Sequence, residues 1–300
     1  MKQITKNKIE IGIAGYGIFG ATLIKWLQNE NKRISIKYIV EPNRHKRDYI
    51  KKLGILTFEN IYDVPKKFIT SNKIVVDCTP RGEGIKNKKQ YQDLGLSAIF
   101  QNGEEDYSVG HLYYPEITKI EKLLPCFLNI PLCSGLSTVK ILSILKKNHL
   151  QLPLTISSYH SKVTNTARNL TFNYKQSQDE INTLFDINAK MNVVYLRGEP
   201  HNSSFTYHGY TTLKFQDKIS KTIILRALNK SKGIRIENQD IDTLFYLSTT
   251  DTTVIKDSVM VINNELSLAT ISFTPLVNFP INLDAITKIA TIKGGVKKVE

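Results

Sequence analysis

Ile9-Glu10-Ile11-Gly12-Ile13-Ala14-Gly15-Tyr16-Gly17-Ile18-Phe19-Gly20 is the stretch whose reading decides the fold. A β-branched run passes directly into three glycines, and Ala21-Thr22-Leu23-Ile24-Lys25-Trp26-Leu27 then has the spacing of an amphipathic helix. The spacing G-x-G-x-x-G is common by itself. Between a strand and a helix it marks the turn that carries a pyrophosphate, provided an acidic residue ends the next strand about 20 residues on. Glu41 meets that condition, after the strand-like run Ile34-Ser35-Ile36-Lys37-Tyr38-Ile39-Val40. Gly15 permits the tight turn, Gly17 lets backbone approach a ligand, and Gly20 lets helix and strand pack closely. Amides at the helix start favour negative charge. The sequence therefore predicts a Rossmann unit holding NAD or NADP on Gly15, Tyr16, Gly17, Ile18, Phe19 and Gly20. Glu41 is placed for the adenosine ribose, which favours NAD. Arg44, with Lys46 and Arg47, is placed to neutralise a 2′-phosphate, which favours NADP, and the choice stays open.

Outward from this turn the pattern continues as α/β. Lys73-Ile74-Val75-Val76-Asp77 and Leu96-Ser97-Ala98-Ile99-Phe100 read as further strands of a parallel sheet, with amphipathic stretches between them. From about Leu154 the period changes to two, over Phe205 to Phe215 and Val259 to Phe273. A second, α+β domain with a mostly antiparallel sheet follows from that change. The expected division is residues 1–132 for dinucleotide binding and 133–280 for catalysis and substrate.

The 300 residues are 41% hydrophobic and 23% charged, enough for two cores. No apolar run approaches the roughly 18 residues of a membrane helix, and the N-terminus has no secretory h-region, so a soluble cytoplasmic chain without membrane association is expected. The net charge of +14 is spread along the sequence, without the interleaved aromatics of a single-strand groove. Nucleic acid is therefore not expected as a partner. Cys78, Cys126 and Cys133 lack metal-ligand spacing and read as reduced thiols, so no metal site is expected. Cys78 and Cys126, in apolar runs, read as core.

Cys133 reads differently. Leu128-Asn129-Ile130-Pro131-Leu132 is strand-like, Cys133-Ser134-Gly135 is a small-residue turn, and a helix begins at about Leu136. A thiol ahead of a helix start feels the positive end of the dipole, which favours a thiolate able to attack an aldehyde. Ser134 and the amides at the helix start are then candidate oxyanion donors. A base is needed, and His160, His201 and His208 are available. In the alternating run, His208 falls with Thr206, Tyr210, Thr212 and Lys214 on the polar face, where a base beneath a cleft would sit, which makes it the candidate.

With these residues in place, the chain resembles the type II (archaeal) phosphorylating glyceraldehyde-3-phosphate dehydrogenases. The resemblance is most specific in Val75-Val76-Asp77-Cys78-Thr79-Pro80-Arg81-Gly82-Glu83-Gly84-Ile85-Lys86-Asn87-Lys88 and in Ala98-Ile99-Phe100-Gln101-Asn102-Gly103-Glu104. It implies that Thr79, Pro80, Gly82, Gln101, Asn102 and Gly103 line the cofactor site, that Cys133 is the nucleophile, and that His208 lies in the region of the catalytic histidine. It also implies that a helix over about 281–300, starting from Pro280-Ile281-Asn282-Leu283-Asp284-Ala285-Ile286, returns to the cofactor domain. A homo-oligomer is implied as well.

The departures concern the substrate. Ser134-Gly135-Leu136 replaces an Asn-Thr-Thr after the nucleophile, Ser157 to Lys162 lacks the paired arginines for substrate phosphate, and Thr274-Pro275-Leu276 replaces Gln-Glu-Ser. The expected activity is NAD(P)-dependent oxidation of a small aldehyde, phosphorylated or not, through a cysteine thioester. The alternatives are another Rossmann-class reductase or a semialdehyde dehydrogenase, or a non-catalytic dinucleotide-binding descendant.

Overall fold

The computed structural model describes residues 8–30, 33–101, 107–120, 125–164, 175–197, 206–238 and 249–294. The chain forms two compact units, one comprising the chain through Ile130 together with the chain from Ile281 onward, the other Pro131–Pro280.

In the first unit, β1 (Ile9–Ala14), β2 (Ile34–Val40), β3 (Leu56–Phe58), β4 (Ile74–Asp77), β5 (Ser97–Phe100), β6 (His111–Leu112) and β7 (Phe127–Asn129) form one sheet in the order β3-β2-β1-β4-β5-β7-β6. Every pairing is parallel. Parallel neighbours require crossovers, and α1 (Ile18–Glu30), α2 (Arg44–Lys52), α3 (Lys66–Asn72) and α4 (Gly84–Asp93) supply them. Ile11, Ile13, Val75, Val76, Ala98 and Ile99 are fully buried, which is why these strands read as unbroken apolar runs. After β3 the chain crosses back to β4 on the other side of β1. The carboxyl ends of β1 and β4 therefore flank the point where strand order reverses.

The last helix, Phe279–Gly294, contributes to this unit from Ile281 onward. Asn282 and Gln101 exchange amide hydrogen bonds, one in each direction. Tyr113 donates its hydroxyl to Asp284, and the Lys288 ammonium lies 3.0 Å from both the Asp284 carboxylate and the Tyr113 oxygen.

The second unit holds β8 (Thr155–Thr164), β9 (Asn188–Arg197), β10 (Thr206–Lys214), β11 (Ile234–Glu237), β12 (Thr252–Ile255), β13 (Met260–Ile262) and β14 (Glu265–Phe273). The sheet runs β11-β12-β14-β10-β8-β9, with β13 paired to β14. It is mixed. The central pairings are antiparallel, while β8 with β9 and β11 with β12 are parallel. At β8 and β9 the cause is a crossover through a helix over Lys175–Phe185, which returns the chain in the same direction. The run Val259 to Phe273, expected as one strand, is a hairpin. Asn263 takes a left-handed φ of 55° between β13 and β14, a conformation asparagine tolerates at a tight turn. Among the described residues, no helix is long and apolar enough to cross a membrane.

Helix α5 (Leu136–Lys147) is buried from Leu136 through Leu145. Its Thr138 hydroxyl lies 3.3–3.4 Å from Ser158 Oγ, His160 Nε2 and Thr211 Oγ1, which fixes the sheet face that α5 covers. On that face Gly209 is the register partner of His160. A Cβ at Gly209 would stand 2.8 Å from His160 Cε1 and 2.7 Å from Thr270 Oγ1, so the imidazole fills the space a side chain would take. Gly209→Ala is expected to destabilise the protein by about 1–3 kcal/mol through overpacking. An unchanged denaturant midpoint would contradict this packing.

Candidate functional site

A cavity of about 610 Å³ opens at the reversal point of the first sheet. Ala14 through Phe19, Val40 through Pro42, and Cys78 through Pro80 line it, so it draws on the carboxyl ends of β1, β2 and β4. The loop is an extension of the sheet: Gly15 N–H donates to Val40 O at 2.8 Å and Cys78 N–H to Ala14 O at 2.7 Å. Gly15 has a φ of 88°, and a Cβ there would meet Cys78 O at 2.7 Å. On Gly20 a Cβ would lie 2.2 Å from Gly15 O, whereas on Gly17 it would meet nothing within 4 Å. Two glycines are thus required by close packing, and the third leaves the backbone facing open space. That is a cradle fit for the pyrophosphate of a dinucleotide, with amides of α1 above it.

Two buried carboxylates hold the rim. Glu41 accepts the Tyr16 N–H at 2.8 Å and the Asn43 N–H at 3.0 Å, tying the glycine loop to the end of β2. Asp77, last residue of β4, accepts from Thr79 N–H at 2.9 Å, Thr79 Oγ1 at 2.6 Å, Asn87 Nδ2 at 2.9 Å and Tyr91 Oη at 2.9 Å. It thereby sets the Thr79-Pro80 turn. Asp77 is a residue of this rim that the glycine fingerprint does not mark. Its signal was an acid closing an otherwise apolar strand.

Gly15, Tyr16, Gly17, Ile18, Phe19, Glu41, Thr79 and Pro80 line the cavity, and Gly20 packs beneath it. Arg44 is exposed in the first turn of α2 and is not among the lining residues. Gly82 sits in an open turn with a φ of 88° and does not line it either. The Gln101 side chain is engaged with Asn282. Asn102 and Gly103 lie outside the described residues. Glu59, Asn60, Ile61, Glu83, Asn87, Gln90 and Tyr91, which the sequence does not single out, complete the lining together with Lys46.

In the second unit Cys133 is half-buried, in the turn that precedes α5. The flanking residues are anchored from the helix over Lys175–Phe185, termed α6 below. Leu132 N–H donates to Glu180 Oε2 at 2.8 Å, and Ser134 Oγ lies 2.7 Å from Ser177 Oγ. Ser134 is therefore turned into the interior rather than toward a substrate. Cys78 is buried, with its thiol pKa pushed well up by burial and by the neighbouring Asp77 charge. Cys126, expected in the core, is half-buried because it stands ahead of β7 rather than within it.

The alternation along β10 is the one read from sequence: Tyr207, Gly209, Thr211 and Leu213 are buried, while His208 and Thr212 are half-buried and Tyr210 and Lys214 exposed. Gly209 and Thr211 lie on the face that α5 covers, and His208 projects from the other. The imidazole beneath α5 is His160, which is 1% exposed. Burial pushes its pKa down to about 4, so it stays neutral, and Nδ1 has no hydrogen-bond partner. Burial also lowers the pKa of His208, which is half-buried. His201 lies outside the described residues.

A switch-point cavity on a parallel sheet, followed by an α+β unit, defines a Rossmann-type two-unit α/β protein. The solved structures it is similar to share that fold. One, described as a probable aspartate-semialdehyde dehydrogenase from Pseudomonas aeruginosa, superposes with a TM-score of 0.73 at 13% identity, covering 97% of this chain and 100% of that one. Aspartate semialdehyde dehydrogenase II from Vibrio cholerae gives 0.70 at 12% identity, covering 96% and 100%. In sequence, the glyceraldehyde-3-phosphate dehydrogenase of Methanothermus fervidus is 38% identical over 73 residues, 24% of this chain and 20% of that protein. Its counterpart in Methanococcoides burtonii is 27% identical over 154 residues, 47% of this chain and 46% of that protein. Each match spans less than half of the relative's length. No protein-family model matches the chain.

Two experiments check this geometry. Gly20→Ala is expected to cost at least about 2 kcal/mol, because backbone must move, whereas Gly17→Ala should leave the unfolding midpoint nearly unchanged and weaken dinucleotide binding. Equal destabilisation by both would refute the assignment of roles. The second concerns pH. His160 has a pKa of about 4 when folded against 6.5 for the free side chain, so the unfolded chain takes up the proton first as pH falls. Its contribution is complete above pH 6.5 and is lost progressively toward pH 4. Between pH 7 and 5, wild type should lose about 2 kcal/mol relative to His160→Gln. Parallel stability curves for the two proteins would contradict a neutral, buried His160.

Proposed function

We propose that this chain is an NAD(P)-dependent oxidoreductase that acts on a small aldehyde through Cys133. The observation that carries the reading is the glycine-cradled cavity at the reversal point of the parallel sheet. The likeness to glyceraldehyde-3-phosphate and aspartate-semialdehyde dehydrogenases supports it. Gly15 through Phe19, Glu41, Thr79 and Pro80 would hold the dinucleotide. Bound there, the nicotinamide supplies the hydride acceptor that aldehyde oxidation needs.

The chain's own chemistry centres on sulfur. Cys133 Sγ forms a bond to the carbonyl carbon, and the carbonyl oxygen takes the electron pair and a proton. As that carbon gives up its hydride, which the bound cofactor would accept, the hydroxyl proton passes to a base, the role proposed for His208, and the acyl group remains on Sγ as a thioester. Water or inorganic phosphate then attacks the acyl carbon, and the thiolate leaves. The turn that positions Sγ is fixed by Glu180 and Ser177 behind it.

An aldehyde without phosphate is the better fit. In the segment where the resemblance implies paired arginines, Ser158 and His160 are buried and uncharged, and Tyr159 faces outward. A semialdehyde dehydrogenase is the second reading, favoured by the fold-level likeness.

Cys133→Ser is expected to reduce aldehyde-dependent cofactor reduction by at least about 10³-fold while leaving the dinucleotide dissociation constant within about twofold. Unchanged turnover would sink the mechanism. Tight dinucleotide binding with no turnover on any aldehyde would favour the non-catalytic descendant. His208 is assigned the proton transfer, and His208→Asn tests it across the sheet that separates it from α5. A fall in kcat with unchanged cofactor affinity supports the assignment, and an unchanged kcat removes it.

A further inference from the structure

A second cavity, of about 470 Å³, opens in the first unit at the other end of the sheet from the glycine cradle. Gly110 and His111, at the start of β6, and Cys126 and Phe127, at the start of β7, form part of its wall. The strands of this sheet run parallel, so these amino ends lie away from the carboxyl ends that hold the cradle. Among the described residues, the two cavities share no lining. The wall is fixed from behind. A Cβ on Gly110 would stand 2.8 Å from Phe127 O, so the chains entering β6 and β7 touch backbone to backbone. Cys126 N–H donates to the buried Ser97 Oγ at 3.1 Å, and Thr118 Oγ1 donates to Leu112 O at 3.1 Å.

The charge of this cavity has one sign. Lys88, His111 and Lys119 line it, and among the described residues that do so there is no carboxylate. Elsewhere in the same unit Lys37, Arg47, Lys86 and Lys288 each lie 2.6–3.1 Å from a carboxylate. Among the described residues, no carboxylate pairs with Lys88, His111 or Lys119. Lys88 instead donates to Ser108 O and stands 5.3 Å over the Phe127 ring, and both partners are neutral. An ammonium carries three hydrogens, so two of them stay available. The rest of the wall includes Ile120, Pro125, Phe127 and Leu128, which are apolar.

Cations beside an apolar wall suit an anion with an apolar body. The described lining has no arginine, so the planar fork that grips a carboxylate at two points is missing, whereas lysines serve a phosphate as point charges. A phosphate monoester brings nearly two negative charges to the two ammoniums. We propose that this cavity binds a small phosphate monoester, with its phosphate on Lys88 and Lys119 and its apolar body against Ile120 and Phe127. The proposal does not rest on the reading of the glycine cradle as a dinucleotide site.

The test is calorimetric titration of the full chain with phenyl phosphate and with inorganic phosphate. Phenyl phosphate is expected to bind saturably, and inorganic phosphate, which lacks the apolar body, at least about tenfold more weakly. Binding of phenyl phosphate should weaken at least about fivefold in Lys119→Met, at an exposed side chain, and likewise in Lys88→Met, which keeps the test alive if either variant does not fold. Lys46→Met, in the glycine-cradled cavity, should leave the constant within about twofold. Weakening in Lys46→Met without weakening in the other two places the phosphate in the glycine cradle and overturns the proposal. So does equal affinity for phenyl phosphate and inorganic phosphate, or the absence of saturable binding at millimolar phenyl phosphate.

Discussion

The first unit depends on one approach of backbone to backbone. A Cβ on Gly20 would stand 2.2 Å from the carbonyl oxygen of Gly15, so α1 can start where it does only because no side chain is there. That closeness lets the loop remain part of the sheet, with Gly15 bonded to Val40 and Cys78 bonded to Ala14. The cavity follows, since its floor is that hydrogen-bonded loop and its walls are the next residues of β2 and β4. Glu41 and Asp77 then act as side-chain continuations of the same sheet, each accepting the N–H groups that the strands no longer pair.

This dependence explains why so much of the first unit was legible from sequence. A glycine forced by steric contact is a local signal, and buried parallel strands advertise themselves as apolar runs. Glu41 could be placed because the second strand ends where its apolar run ends. Gln101 and Arg44 were not legible in the same way. The partner of Gln101 is Asn282, 181 residues distant, and nothing near either amide announces the other. Arg44 sits one residue beyond the cap formed by Asn43, and the register of α2 turns it outward while Arg47 is turned inward.

The second unit misleads a reader for a physical reason. On the sheet face under α5, Ser158, His160 and Thr211 are buried, and Thr138 meets them from the helix. Their hydroxyls satisfy one another, so polar residues tolerate the interior. On the opposite face Tyr159 is 48% exposed and Tyr210 43%. Along β8 the usual sense of the alternation, apolar inward and polar outward, is partly inverted, while along β10 it holds, with Tyr207 and Leu213 buried and Lys214 exposed. Period two therefore places His208 with the less buried set of β10, but nothing in it announces that His160 of β8 is the imidazole beneath α5.

The turn at Cys133 shows the same substitution of internal polarity for external function. Where the resemblance implies Asn-Thr-Thr, the chain has Ser134-Gly135-Leu136. Ser134 is spent on Ser177, and a Cβ on Gly135 would lie 3.1 Å from the Ser177 side chain. Leu136 is the first of ten buried residues of α5. Ser134 and Gly135 thus adapt the turn to α6 behind it, and Leu136 is buried in α5. Glu180 completes the anchoring by holding the Leu132 amide. The turn thus presents the thiol and the backbone, and under the proposed function recognition of an aldehyde's substituents would fall to residues outside it.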